Sequence, residues 1–351
     1  MRLGMDATRI SDGRPVMLKQ LLTEEGPYEL EVNRLFSTEP LSSNVRNHCV
    51  QLLDVVELSG DPPIMVHPLL RPFYDPPLQT YGEFVTFFAQ TCEVRSAYFH
   101  YTIQSFNGPG CPINAREPCR SPVRCQHLCI AYVRFSDMAH TRDCTSENIM
   151  LDPSGMYPGS FHPVDIERSK DFRQKAKWYS RTRRPTRYLL IDFGLSRQYD
   201  PANGPPLEKP LRGGDKSAPE HQDMNTPCNP FPTDVYYLGN LVREDYMQVY
   251  AFISPTRLTV LTGRIQKYKG FEFMAPLVTD MVQDDPTKRP TMDDVVKRFS
   301  EIKTKLSTWK LRSRLPRKNE IWPVTAFKTV RHWYWTVGYV LGRKAAIPEP
   351  K

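Results

Sequence analysis

The chain predicts an α+β fold with a small β-rich part ahead of a larger helical one, and three observations carry that expectation. Residues 5–10 and 15–19 read as two strands around the turn Ser11-Asp12-Gly13. Val50 to Leu58 and Ile64 to Val66 read as two further buried strands. From about residue 82 onward the apolar spacing is mostly helical, beginning with GEFVTFFAQTCEVRSAYF over 82–99.

The remaining elements follow in order. Residues 27–37, PYELEVNRLFS, have a helical rhythm, with Leu30, Val32, Leu35 and Phe36 as apolar points and Pro27 at the start. A proline-rich connector runs from Pro68 to Pro77. Two segments interrupt the pattern. Residues 100–139 lack periodicity and hold Cys111, Cys119, Cys125 and Cys129; residues 152–187 are proline-rich early and basic later. Long stretches of this kind inside a compact domain are functional or disordered. Near the end Phe327, Val330, Trp333, Tyr334, Val337 and Leu341 recur at helical spacing, with packing onto the helical part as the simplest expectation and a membrane-surface or nucleic-acid face as alternatives.

Composition bounds the function classes. A chain of 351 residues, 40% hydrophobic and 25% charged, holds enough apolar material for a substantial core. Eight cysteines are too few for a disulfide scaffold at this length. No apolar run reaches the roughly 18 residues of a membrane span, and MRLGMDATRI has no signal-peptide core. A cytoplasmic or nuclear protein without a transmembrane segment is expected. The net charge of +8 is uneven, since residues 305–351 carry eleven Lys or Arg against Glu320 and Glu349. Such a tail suits nucleic acid, anionic lipid or an acidic protein face, or is a solvated extension.

Four motifs carry chemistry. In HTRDCTSENIMLD, residues 140–152, Asp143 precedes Asn148 by five positions. An Asp so placed accepts a hydrogen bond from an attacking hydroxyl, and the Asn oxygen ligates a divalent metal on a nucleotide. YLLIDFGLS, residues 188–196, delivers Asp192 from an apolar strand, with Gly194 allowing a sharp turn. Ala218-Pro219-Glu220 follows, then Asp234 on an apolar helix ending near Gly239, and last Arg289, a candidate for a buried ion pair with Glu220.

In this order and spacing the motifs resemble the eukaryotic protein kinase-like superfamily, and more closely divergent fungal protein-kinase-like proteins, from about Met5 to the C-terminus. The resemblance implies a bilobal fold: an N-lobe over 1–67, a C-lobe over 68–305 with irregular inserts at 100–139 and 152–187, and a basic tail over 306–351. It implies ATP and Mg²⁺ between the lobes and transfer of the γ-phosphoryl group to a Ser/Thr-type hydroxyl of a protein substrate, with nucleic acid not expected as a partner. On that basis Lys19, in Val16-Met17-Leu18-Lys19, reaches the α- and β-phosphates, and its partner on the 27–37 helix is Glu31, chosen over Glu29 because Leu35 continues the apolar spine one turn later. Backbone groups from Pro68 to Leu70 would meet adenine, Asn148 and Asp192 would hold metal, and Asp143 would act on the hydroxyl.

The chain departs from the family at several points. The glycine-rich loop that covers the phosphates should precede the 5–10 strand and is not found there; Gly4 and Gly13 do not replace it. Thr141 separates His140 from Arg142-Asp143, and Thr145 stands where Ser/Thr kinases have a lysine. These departures keep open a second expectation, a pseudokinase acting as a binding scaffold, and a weaker third, a kinase-fold enzyme acting on a small molecule. Zinc binding by Cys119, Cys125, His127 and Cys129 competes with a plain insertion at 100–139, without any Cys-x-x-Cys pair to support it. The basic 152–187 segment is expected as a solvated loop, or as a surface recruiting an acidic or phosphorylated partner. Ser217 is the first candidate for loop phosphorylation, ahead of Ser196 and Tyr199. The oligomeric state stays open.

Overall fold

The computed structural model describes residues 4–22, 26–106, 145–196, 204–210, 215–247 and 268–350, with the backbone alone for 94–106. The chain begins with four strands: β1 (Gly4–Thr8), β2 (Pro15–Gln20), β3 (Asp54–Leu58) and β4 (Asp61–Pro68). They form an antiparallel sheet in the order β1-β2-β4-β3. The first turn closes because Gly13 takes φ 67° and the Asp12 carboxylate accepts from Arg9 and from the Arg14 amide. Helix α1 (Glu29–Ser37) lies between β2 and β3 in sequence.

The third strand is shorter than the expected 50–58 run. Cys49 instead bridges in parallel to Leu190, and the Val50 amide donates to the Leu190 carbonyl at 2.9 Å. That segment therefore ties the first sheet to a second, antiparallel one of β5 (Arg71–Pro72), β6 (Ile149–Leu151) and β7 (Tyr188–Leu190), in that order. Pro72 sits on an edge strand, where its missing N–H breaks no ladder.

Helix α2 (Tyr81–Phe106) organises the larger core. Phe84, Val85, Phe87 and Phe88 are all buried, and four nearly consecutive apolar residues reach every side of a helix, so this half is enclosed all round. Phe87 stacks on Phe73 at 4.6 Å, Phe84 meets Phe271 edge-on at 4.8 Å, and Phe88 meets Phe299 at 4.6 Å. Phe299 belongs to α5 (Met292–Lys305), which starts with a capping box between Thr291 and Asp294. Before it come α3 (Pro230–Val242), capped by Asn229, and α4 (Ala275–Met281); α6 (Thr308–Arg312) and α7 (Trp322–Leu341) follow.

Two expectations are corrected. The 152–187 segment is not a solvated loop throughout: Met156, Tyr157 and Phe161 are buried, and Arg71 lies over both rings at 4.6 and 4.8 Å. Arg181, counted as part of a basic surface, is buried and donates to the Phe73 carbonyl at 2.7 Å, while the Thr182 amide and hydroxyl both donate to Glu83. Arg168, Lys170, Arg173, Lys175, Lys177, Arg183 and Arg184 remain exposed. Second, the apolar stripe of α7 does not pack on the helical part. Phe327, Val330, Tyr334, Val337 and Leu341 are exposed, because the polar face of the helix takes the inward side; of the expected stripe Trp333 alone is half-buried, 5.4 Å from the Trp309 ring. The 100–139 segment enters as a continuation of α2 to Phe106; Cys111, Cys119, Cys125, His127 and Cys129 lie outside the described residues.

Candidate active site

The buried stripe of α1 explains the first feature of the site. Glu29, Val32, Asn33 and Phe36 are the buried residues of this helix, at spacings of three and four that stack on one face. Lys19 is on β2, the inner strand facing that stripe. Its ammonium donates to Glu29 Oε1, whose side chain is only 6% exposed. Glu31, expected as the partner, is exposed on the far side of the helix. The expected apolar spine through Leu35 also differs: Leu35 is half-buried, and Asn33 takes the inner position, where Nδ2 donates to the Glu29 carbonyl at 2.8 Å.

The same ammonium lies 3.0 Å from Asp192 Oδ1, joining residues 173 positions apart. Asp192 is the left-handed residue of its turn, with φ 65°, and Oδ1 also accepts from the Gly194 amide at 3.3 Å. A short polar side chain that bonds its own turn is among the few that tolerate this region. Phe193 is buried against Phe36 of α1, with ring centroids 6.0 Å apart. The turn leaves no room at Gly26, where an added Cβ would fall 2.9 Å from the Gly194 Cα.

Asn148 precedes β6, and its carbonyl accepts from the Ile191 amide at 3.0 Å, so the two expected metal ligands flank neighbouring ends of adjacent strands. Both line a cleft of about 530 Å³ together with Thr145, Glu147, Asp215 and Glu244. Among the described lining residues the charged side chains are all carboxylates: Glu147, Asp192, Asp215, Glu244 and Asp245. Among the described residues, no three His, Cys, Asp or Glu side chains are grouped to hold a metal ion by themselves. Magnesium does not need such a cage, since one or two protein oxygens plus phosphate oxygens and water complete its shell. Asn148 and Asp192 fit that donor set. Asp143, with His140, Thr141 and Arg142, lies outside the described residues.

No protein-family model matches the chain, and no curated protein matches it either.

The connector offers few backbone donors. Pro68 pairs with Val16 at the end of β4 and has no N–H to donate, and the Leu69 amide donates to the Pro15 carbonyl at 3.4 Å. Of the three residues expected to meet adenine, Leu70 carries the remaining amide.

Arg289 and Glu220 form the ion pair the sequence anticipates. Arg289 Nη1 and Nη2 donate to the two carboxylate oxygens at 2.6 and 2.9 Å, and the arginine side chain is fully buried. Its other donors reach the Gln283 and Pro232 carbonyls, and Thr233 donates to Glu220 at 2.8 Å. Burial pushes the Glu220 carboxyl up, yet the bonds and charge of Arg289 outweigh it and hold the group below the usual range. Asp215 and Asn240 belong to no motif that the sequence shows. Asn240 Nδ2 donates to Asp215 and, at 2.9 Å, to Ser217 Oγ, while the Tyr236 hydroxyl donates to the Ser217 carbonyl at 3.0 Å. The sequence holds no pattern that pairs positions 25 residues apart across a loop and a helix.

Proposed function

We propose that the chain is a protein kinase of bilobal form, transferring the ATP γ-phosphoryl group to a Ser/Thr-type hydroxyl of a protein. The observation that carries this reading is Lys19 between Glu29 and Asp192. An ammonium held by a helix carboxylate, beside an aspartate at the cleft, is the arrangement that positions nucleotide phosphates in protein kinases. On this reading Lys19 moves from Asp192 to the α- and β-phosphates, and Glu29 keeps it aimed. Asn148 and Asp192 would hold Mg²⁺, which when bound supplies positive charge to the phosphate oxygens. Asp143 would accept the hydrogen bond of the attacking hydroxyl, and the Leu70 amide is the donor for adenine. On this reading the carboxylates lining the cleft would repel a bare nucleotide, and the metal would offset that charge.

A second reading follows from the same contact. With both carboxylates already on its ammonium, Lys19 can serve as a fixed strut, which suits a scaffold without catalysis.

Thermal unfolding of the full chain with ATP and Mg²⁺ separates the two. A nucleotide at about 100 times its Kd raises stability by roughly 2.7 kcal/mol, a shift of a few degrees at this size. The shift should need metal and vanish in Lys19→Met. Asp143→Asn should keep the shift while phosphate transfer to a general protein substrate falls at least about a hundredfold. Full transfer in Asp143→Asn would sink the catalytic assignment, and no shift at millimolar ATP would leave the scaffold.

A further inference from the structure

Helix α7 is amphipathic in the reverse sense for a surface helix. On a 3.6-residue repeat Thr325, Thr329, His332, Thr336 and Tyr339 share one face. That face meets the rest of the chain: Thr336 is buried, His332 Nε2 lies 2.8 Å from the Arg312 carbonyl, and the Tyr339 hydroxyl lies 2.8 Å from Ser180 Oγ. The opposite face carries Phe327, Val330, Tyr334, Val337 and Leu341, which are 68, 72, 73, 56 and 78% exposed. The orientation is fastened at both ends. Glu320 accepts from Arg314 at 2.6 and 3.0 Å and from Lys328 at 3.0 Å, and Arg312 donates to the Lys344 carbonyl at 2.6 Å. Rolling the helix to hide its apolar stripe would break these bonds.

Charge and composition select the occupant. Residues 305–351 hold eleven Lys or Arg against two acids, of which Glu320 is 8% exposed within its ion pairs. Arg331 stands beside the stripe, Arg343 and Lys344 follow its end, and exposed Arg183 and Arg184 lie within four residues of Ser180. A second copy of the chain would bring this positive surface against itself. Nucleic acid would satisfy the charge but leave Val330, Val337 and Leu341 in water. An anionic bilayer satisfies both: aliphatic groups enter the acyl boundary, Trp322, Tyr334 and Trp335 suit headgroup depth, and basic side chains meet lipid phosphates. No helix among the described residues is long and apolar enough to cross a membrane, so the fit is to its surface plane. We infer that α7 is a docking helix that lies in the interface of an anionic lipid membrane.

Flotation of the full chain with phosphatidylcholine vesicles, with and without about 30% phosphatidylserine, tests this. Four of the five tryptophans lie at 309, 322, 333 and 335, so emission should shift to shorter wavelength on binding. Binding should be at least roughly tenfold tighter with phosphatidylserine and weaken with salt. Phe327→Asp with Val337→Asp should abolish it without lowering Tm, and Arg343→Glu with Lys344→Glu should weaken it roughly tenfold or more. Equal or absent binding to both vesicles overturns the proposal. So does a concentration-dependent dimer that Phe327→Asp disrupts, which would assign the stripe to a second copy. A Tm loss in the Phe327/Val337 variant together with unchanged binding in the charge variant would assign it to the chain's own packing.

Discussion

Glu29 rather than Glu31 meets Lys19 because the buried stripe of α1 is set by Val32 and Phe36, and a residue joins it only at a spacing of three or four. Glu31 is two positions from Glu29, which on a helix is the opposite side. The stripe was readable in the sequence once Val32 and Phe36 are taken as its markers; the buried Asn33 obscured it, since a polar residue argues against an inner position until its bond to the Glu29 carbonyl is seen. Glu29→Gln should therefore remove most of the ATP- and Mg²⁺-dependent Tm shift, because Lys19 loses the charged helix group that aims it. Glu31→Gln should leave the shift within error. Equal effects in the two variants would mean that Lys19 is not aimed by this helix.

Between elements, close approach sets what a position tolerates. A Cβ at Gly239 of α3 would fall 2.7 Å from Met281 Cβ and 3.0 Å from Val282 Cγ1, so α3 and α4 touch through that glycine. Gly239→Val should cost about 1–3 kcal/mol in urea unfolding as the pair is forced apart. A methyl group added at Gly338 in α7 would meet nothing within 4 Å, and Gly338→Ala should be neutral or stabilising by up to about 1 kcal/mol. The same contrast separates the two helices generally. The apolar residues of α3 from Val235 to Val242 are buried as its sequence leads one to expect, whereas α7 has an equally clear stripe that faces outward. Periodicity locates a face but not the side on which the neighbours lie.

Across the whole molecule, acid should unfold the protein in two stages. Burial holds His67 and His332 below their ordinary 6.5, so only the unfolded chain takes up those protons at first, and stability falls as pH drops below about 6.5 toward the folded values. Glu220 and Glu320 have lowered folded pKa values, the latter about 2 through its bonds to Arg314 and Lys328. Their stabilisation is complete above about 4.5 and is lost as pH falls through the folded values. Urea unfolding at about pH 7, 5.5 and 4 checks the sequence of losses. Glu220→Gln should cost about 3–5 kcal/mol at neutral pH by stranding the buried Arg289, and should flatten the slope below 4.5. A stability that does not change between pH 7 and 4 would contradict the buried histidines and the ion pairs together.

The amino-acid sequence by itself determined the first hairpin, helix α1, the start of α2 and the pairing of Glu220 with Arg289. Period, turn residues and caps act over a few residues, as at Gly13, Asn229 and Thr291. It also marked Lys19, Asn148 and Asp192 as one group through their motifs. Only the tertiary structure decided that Cys49 and Val50 leave the first sheet for Leu190, that Arg181 is buried while its basic neighbours are not, and that α7 turns its polar face inward. Each of these depends on which surface arrives opposite a residue from far along the chain. Local preference is the same whichever surface that is.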